Sequence, residues 1–587
     1  MGTGRLFFVI LNRINLNQIM NKFTTIDYVI FVVYFIVVSG YGYWVYSRKK
    51  IKGVSDSKDF FLAEGSLTWW AIGASLIASN ISAEQFIGAS GTGFAVGLAV
   101  AAYEWVAAIA LIIVAVWFVP IYLKNKIFTM PQFLHTRYNE TVSFVMAIFW
   151  LFLYIFVNLT SILYLGALAL NNLIGGDVDS MHLIIIALAV FALFITLGGM
   201  KVIGFTDVIQ VLVLVIGGLA TTYIALTLVS EKFGYGKDAL AGFNAMLKDA
   251  PDHFKMILAK PKPGAPQADI DKYLTLPGIA MYFAGQWIVN LNYWGCNQYI
   301  TQRALGADLK TARTGILFAG LMKLAMPVIV VLPGIAAYVL YKNGGLQAEM
   351  LSGGKFNSDN AYSAVLGFLP TGLKGLSVAA LTAAIVASLA GKANSISTIF
   401  TLDIYKKHMV KKASEQDMVK VGRWVIFAAM ALSIALTWKD LLGISGEGGF
   451  TFIQKYTGFI SPGIFAIFIL GFFWKHTTGT AAIAGILTGF GMSVVFNNYA
   501  PAWFGHETFL YTAFPRANGT WEIPFLICMG LSFLFTIIVM VAVSLAGPKV
   551  NAKALEIDAS MFKVERSTLA LIVVTLLLLT TLYVRFW

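Results

Sequence analysis

The stretch GASLIASNISAEQFIGASGTG, residues 73–93, begins as an apolar helix and then sets Asn80, Ser82, Glu84 and Gln85 within six positions. A polar cluster of this kind is costly against lipid unless it faces protein or a water-filled cavity. Backbone released from helical hydrogen bonding is tolerated at membrane depth on the same condition. The stretch therefore reads as a membrane helix interrupted at its middle.

The rest of the chain supports that setting. Of its 587 residues, 58% are hydrophobic and 12% charged, against about 25% charged in a soluble protein. Apolar runs of roughly 20 residues, enough to cross a hydrocarbon core about 30 Å thick, give fourteen candidate spans. Their approximate centres are 37, 78, 108, 154, 190, 217, 289, 326, 386, 430, 462, 486, 533 and 576. This is the pattern of an all-α, multi-pass membrane protein, and no stretch reads as a soluble catalytic domain.

The net charge of +13 does not point to nucleic acid, because the basic residues gather in short loops: SRKKIKG (47–53), LKNK (123–126) and YKKHMVKK (405–412). Such clusters mark the cytoplasmic side. Arg48, Lys49, Lys50 and Lys52 then place the end of span 1 inside. Alternation from there also puts Lys124/Lys126, Arg303/Lys310/Arg313, Lys406 to Lys412 and Lys549/Lys553 inside. Both termini are expected outside, in a cell (inner or plasma) membrane. The hydrophilic loop at roughly 230–275 carries seven lysines and falls outside; long loops weigh little in the orientation rule. Residues 1–19 are too short to span, and read as an interfacial segment or as sequence ahead of a start at Met20. The two cysteines, Cys296 and Cys528, lie in apolar runs and suggest no disulfide. The six histidines lack metal-ligand spacing, and there is no HExxH, CxxC or phosphate-binding loop.

A second interruption stands in VNLNYWGCNQ (289–298), where Asn290, Asn292, Gly295, Asn297 and Gln298 break the apolar pattern. With span 1 set aside, the two interrupted spans lead two five-helix halves. Paired breaks at matching positions are the sequence pointer to an inverted-repeat transporter whose site lies at the bilayer midplane. The competing reading is a pair of polar helix–helix contacts inside a bundle.

The motifs DFFLAEGSLTWWAIGASLIASNISAEQFIG, AAYEWVAAI, LYIFVNLTSILYLG, GFTDVIQV, NLNYWGCNQYITQR, VVLPGIAAYV and FIQKYTGFISPGI resemble the solute:sodium symporter family. The likeness is nearest to its bacterial sodium/galactose (sodium/glucose-type) branch and runs from about residue 24 to the C-terminus. It implies a leucine-transporter-type 5+5 inverted-repeat core within 14 transmembrane helices. The expected layout is an N-terminal extension (1–24), an extra first helix (25–50), core repeat 1 (65–228), an extracellular loop (229–275), core repeat 2 (276–474) and three peripheral helices (475–587). The function implied is a secondary active transporter, not an enzyme, coupling inward sodium movement to uptake of a hexose-like sugar. Sugar, sodium and lipid bilayer are the expected partners, with no nucleic acid and no obligatory protein partner.

A sugar needs several donors and acceptors in a dry cavity flanked by aromatic faces. Gln85, Glu104, Lys323 and Gln454 are polar at mid-span positions, and with Asn290 they come from five different helices. By resemblance these five match the family's sugar-contacting residues. Asn80 and Tyr103 line the same site, Tyr293 closes it on the cytoplasmic side next to Trp294, and Tyr154 is a further pocket residue. Ala107 stands where the galactose branch carries a serine, so the hexose stays open. Lys323 also reads as a plain ion-pair partner of Glu104.

For the ion, the resemblance implies sodium ligands at the carbonyls of Ala78, Ile81 and Ala384 and at adjacent serine hydroxyls in LTAAIVASLAGKANSISTIF (381–400). Here that pair is Ala387–Ser388, so one hydroxyl remains. Lys392 follows one turn later on the same face. It is expected to snorkel to the cytoplasm or to pair with Asp207, the two standing as possible coupling residues. The alternative is that its ammonium partly replaces the bound cation, leaving uptake proton-coupled or uncoupled.

Overall fold

The computed structural model describes residues 24–47, 68–127, 129–174, 176–197, 199–352, 354–444 and 448–587. Met20, the basic cluster Arg48, Lys49, Lys50 and Lys52, and all of the 1–24 extension except Thr24 lie outside the described residues. Among the described residues the regular elements are helices and two short hairpins, Leu351–Ser352 with Lys355–Phe356 and Phe514–Pro515 with Trp521–Glu522.

Each of the fourteen expected span centres falls in a helix. Eleven described helices are long and apolar enough to cross a membrane, or twelve if the bent pair Gly449–Gly458 and Ser461–Phe473 counts as one span. Length and apolarity thus do not establish fourteen. The shortfall lies at the two interrupted segments, 69–95 and 286–305, whose pieces are each shorter than a span of about 20 residues.

At the centre stands Leu373–Thr398, buried along nearly its whole length. Its first turn would leave unpaired N–H groups in a dry setting. Asp27, from the helix Thr25–Ser47, meets that need: Oδ1 accepts from Gly372 N at 2.7 Å and Gly375 N at 2.9 Å. A Cβ on Gly375 would lie 2.5 Å from Asp27 O, so only glycine lets the two helices close there.

The loops segregate to two faces. On one, Lys553 Nζ reaches His135 O at 3.5 Å, Lys310 pairs with Glu565 at 3.1 Å, and Asn551 N donates to Lys475 O at 2.9 Å. On the other, Met256 N donates to Phe586 O at 2.8 Å, Arg516 pairs with Asp271 at 3.1 Å and Lys342 with Asp249 at 3.3 Å. The described basic loops at 123–126 and 405–412 share the first face, where His408 lies 3.6 Å from Glu140. The long hydrophilic loop and the C-terminal residues share the second.

His253 ties that long loop down. Its ring stacks on Tyr338 with centroids 3.7 Å apart, and Nε2 lies 3.1 Å from Phe94 O. Its backbone also sits where a Cβ on Gly97 (φ +97) would stand, 2.5 Å from His253 O. Burial first, then the charge of Lys272, lowers its pKa from 6.5 to about 4. The docked loop therefore holds a neutral imidazole, while the undocked loop binds a proton below about 6.5. Docking is at full strength above that value and weakens as pH falls through the window towards about 4. Hydrogen exchange in 239–275, corrected for intrinsic rate, should quicken between about pH 7 and about pH 4.5. His253→Phe, which keeps a stacking ring without a titratable nitrogen, should lose that acceleration.

Candidate functional site

The first interruption forms as the sequence suggests. Helix Trp69–Asn80 stops at Ile81, whose backbone is extended (φ −82, ψ 101). Beyond it, Glu84 N turns to Ser82 Oγ at 3.2 Å and Gln85 N to Ser82 O at 3.1 Å. The carbonyls of Asn80 and Ile81 thereby lose the donors a continuous helix would supply. A fully buried π-helical turn, Glu84–Ala89, follows. Gly88 lets it close on Gly449–Gly458, since a Cβ there would stand 2.8 Å from Phe450 Cβ.

The second interruption is narrower than expected. Gln286–Gly295 remains helical through Asn290 and Asn292, and the break is confined to Cys296 and Asn297. The two amides do not disrupt the helix because each has a partner: Asn290 Nδ2 donates to Gln286 O at 2.9 Å and Asn292 Nδ2 to Ser461 Oγ at 3.0 Å. Neighbours meet the groups around the break. Tyr122 OH donates to Gly295 O at 2.8 Å, and Gln298 Oε1 accepts from Met130 N at 2.7 Å.

Between the two breaks lies a cavity of about 50 Å³, room for a few waters and well short of the roughly 300–1,000 Å³ of a small-molecule site, so a sugar-sized ligand is admitted only when the walls move apart. Asn80, Gln85, Tyr103, Glu104, Asn290, Tyr293, Trp294, Lys323 and Gln454 all line it, as does Ala107. Tyr154 does not. It is buried one layer back, its hydroxyl bonded to Asn297, which does face the cavity. Glu84, Asn158, Thr457 and Lys392 complete the polar lining, and sequence reading gave the first three no role.

Lys323 is 1% exposed and Glu104 4%, so their charges are desolvated and depend on each other. Lys323 Nζ donates to Glu104 Oε2 at 2.5 Å and also to Asn80 Oδ1. Asn80 Nδ2 in turn reaches Tyr293 OH at 3.3 Å, and Gln85 Nε2 reaches Glu104 Oε1 at 3.4 Å. The ammonium also lies 5.2 Å from the Trp294 ring centroid. The ion-pair reading of Lys323 and the site reading are thus compatible. Three buried groups on the cavity wall, Gln85 Oε1, Tyr103 OH and Thr457 Oγ1, have no hydrogen-bond partner. A wall that leaves such groups waiting suits a hydroxylated ligand.

Beside the first break, Ala384 and Ser388 lie one turn apart on Leu373–Thr398, and Ser388 Oγ donates to Ser79 O at 3.4 Å. Ala78 is in the last turn before the break and Ile81 within it. One hydroxyl beside freed carbonyls is an oxygen set suited to a hard cation such as sodium.

The expectation for Lys392 is overturned. It neither snorkels nor pairs with Asp207: it is 1% exposed and lies 3.7 Å from Glu84 Oε1. Asp207 is engaged elsewhere, accepting from Ser75 Oγ at 2.6 Å and standing 3.8 Å from Arg303. The helical period that sets Lys392 beneath Ser388 turns it to the first break. A buried lysine without a carboxylate on its own helix face was the available signal that Glu84 answers it.

A helical bundle with two spans broken around a polar central cavity is the architecture of a secondary transporter. The sodium:solute symporter family model matches residues 60–489, and the chain belongs to that family. It is 42% identical to the sodium/glucose cotransporter of Vibrio parahaemolyticus over 97% of this chain and 100% of that protein. It is 33% identical to sodium/myo-inositol cotransporter 2 of Mus musculus, over 80% of this chain and 69% of that one. Among solved structures, that of a Na+-coupled sialic acid symporter superposes with TM-score 0.72 at 20% identity, over 90% of this chain and 99% of that chain. At that identity the likeness carries the fold, the expected leucine-transporter type.

Replacing Lys323 alone by Met strands the buried Glu104 carboxylate, a change that costs about 3–5 kcal/mol. A clearly lowered melting temperature of the detergent-solubilised protein is expected. Lys323→Met combined with Glu104→Gln should recover most of the loss.

Proposed function

We propose that this chain couples inward sodium movement to uptake of a hexose-class sugar by alternating access. The observation that carries the reading is the convergence of Gln85 Oε1 and Tyr103 OH, buried and unpartnered, on the cavity that also holds the Lys323–Glu104 pair. A ring of hydroxyls completes those bonds. A ligand without hydroxyls leaves them unmet, at about 1–3 kcal/mol each. Trp294 and Tyr293 offer the apolar faces that sugar C–H groups prefer. The named activities of the Vibrio and mouse relatives support both the polyol and the ion. Ala107 removes one hydroxyl contact and keeps the choice among glucose, galactose and related hexoses open.

The ion is carried by Ser388 Oγ with the carbonyls of Ala78, Ile81 and Ala384. Its binding pins Trp69–Asn80 to Leu373–Thr398, and so presents Asn80 and Gln85 to the sugar. Coupling follows if sodium favours that sugar-competent arrangement. At about −100 mV one inward sodium supplies about 2.3 kcal/mol, enough for roughly fifty-fold accumulation of a neutral sugar. The two halves are core repeats 65–228 and 276–474, with the basic face cytoplasmic and both chain ends outside. Proton-coupled or uncoupled uptake is not favoured, because the ammonium that motivated it is engaged with Glu84. Among the described residues lining the cavity there is no serine, cysteine or histidine, and the matching family is one of transporters.

In proteoliposomes with an inward sodium gradient, labelled glucose or galactose should accumulate, and counterflow should require sodium and be insensitive to pH. Gln85→Ala should weaken apparent sugar affinity about 5- to 150-fold, and Ser388→Ala should remove the sodium dependence. Uptake that persists unchanged when choline replaces sodium would reject the proposal. In intact cells, an impermeant thiol reagent should label Lys237→Cys and spare Lys411→Cys.

A further inference from the structure

A second cavity lies away from the sugar site, on a side of the bundle that faces lipid. Helices Thr25–Ser47, Val178–Leu197 and Gly199–Lys232 wall it, and Ala383 and Val386 of the central helix form its floor. At about 390 Å³ it has the size of a small-molecule site without any movement of its walls. Its origin is legible in the first helix. Phe35, Val38, Ser39, Gly42 and Tyr43 all line it, and their spacing puts them on one helical face. Towards Thr25 that face is closed, since Asp27 holds Gly372 and Gly375 while Tyr34 and Val38 pack on Ala379 and Ala383. Towards Ser47 it carries Ser39 and Gly42, and side chains that small leave a gap.

The gap is graded in polarity. Phe35 and Phe191 line its deep end, Phe35 standing about 12 Å along the helix axis from Tyr43. Gly199–Lys232 runs towards the long hydrophilic loop, so its first residues lie nearer the face of the basic loops. Helical side chains lean towards the N-terminus of their own helix, which carries the Gln210 amide towards that face, beside Thr206. Gln210 is 2% exposed, and its Oε1 has no hydrogen-bond partner. An acceptor left so beside an apolar space calls for a donor. Among the described residues that line the cavity none is charged. At its edge Tyr43 and Phe194 are 72% and 70% exposed, and at this depth exposure means contact with lipid.

We propose that this cavity is a lipid site whose occupant is a neutral glycerolipid with a free hydroxyl, the diacylglycerol class. One acyl chain lies along Phe35, Phe191 and Phe194, and the glycerol hydroxyl donates to Gln210 Oε1. The gradient of the cavity is that of a lipid in the leaflet on the basic-loop side, its head towards the face and its chain towards the middle. A phosphate or carboxylate head would lie there without a counter-charge. The site is independent of the solute that the protein carries.

The test uses the full chain in mixed micelles and a diacylglycerol with a diazirine midway along one acyl chain. After photolysis, mass spectrometry should find the adducts concentrated within 35–43 and 191–197. Unlabelled dioleoylglycerol should compete. Dioleoylacetylglycerol, similar in size but without the hydroxyl, leaves Gln210 unmet and should compete about 5- to 150-fold less well. Gln210→Leu should erase that preference, a readout that a merely structural glutamine would not move. Gly42→Leu fills the gap and should abolish both the labelling and the rise in melting temperature that dioleoylglycerol gives the wild type. Should Gly42→Leu fail to fold, Ser39→Leu fills the same space. Adducts spread evenly over the lipid-facing helices, labelling unchanged in the folded filled variant, or equal competition by the acetylated lipid would each overturn the proposal. So would dioleoylphosphatidylglycerol competing as well as dioleoylglycerol.

Discussion

A peptide group released from a helix inside a bilayer has no water to turn to, and each one left unmet costs several kcal/mol. Much of the centre of this protein follows from that constraint, applied at two places. At Ile81 the chain turns extended and the next donors fold back onto Ser82. At Cys296 and Asn297 the gap is narrower, and Tyr122 and Gln298 serve the polar groups around it. Glycines supply the remaining room: Gly88 admits Phe450, and Gly295 admits the Phe118 ring, which a Cβ would meet at 2.5 Å. Breaking two helices costs stability locally. In return the fold gains polar groups aimed at one cavity in the protein's middle.

The same dryness governs the charges. Glu84, Glu104, Lys323 and Lys392 are all buried, and each sits opposite a partner of the other sign. Two cations and two anions leave the cavity close to neutral, which suits an uncharged polyol better than a sugar acid or an amine. The pairs also stitch the moving parts together. Lys323 joins the first broken helix to the helix carrying Glu104 through Asn80. Lys392 joins the π-helical turn to Leu373–Thr398. A transporter that rocks its halves needs such links to be strong enough to hold a state and local enough to be exchanged for contacts with cargo.

Much of this was legible in the sequence. Apolar runs located the helices, and the amides and carboxylate of 80–85 located the first break to within a residue or two. Polar residues stranded at mid-span marked the cavity wall. The readings that failed share one cause. The Asn290 and Asn292 amides looked like part of the second break, but helical neighbours and Ser461 absorb them. Lys392 reads as snorkelling or as a partner of Asp207, but it is buried against Glu84, and Ser75 and Arg303 already hold Asp207. Tyr154 read as a wall residue and instead stands behind Asn297.

Hydropathy and helical period are properties of neighbouring residues, so the sequence by itself determined where the chain crosses the bilayer, where it breaks, and which polar side chains need an interior place. The pairing of those side chains depends on which helices lie side by side, and the bonds in question span large separations: 219 residues from Glu104 to Lys323, 132 from Ser75 to Asp207, 345 from Asp27 to Gly372. No local pattern encodes such distances. Only the packed helices decided that Glu84 answers Lys392, that Asp27 caps the central helix, and that three polar groups on the cavity wall are left for a ligand.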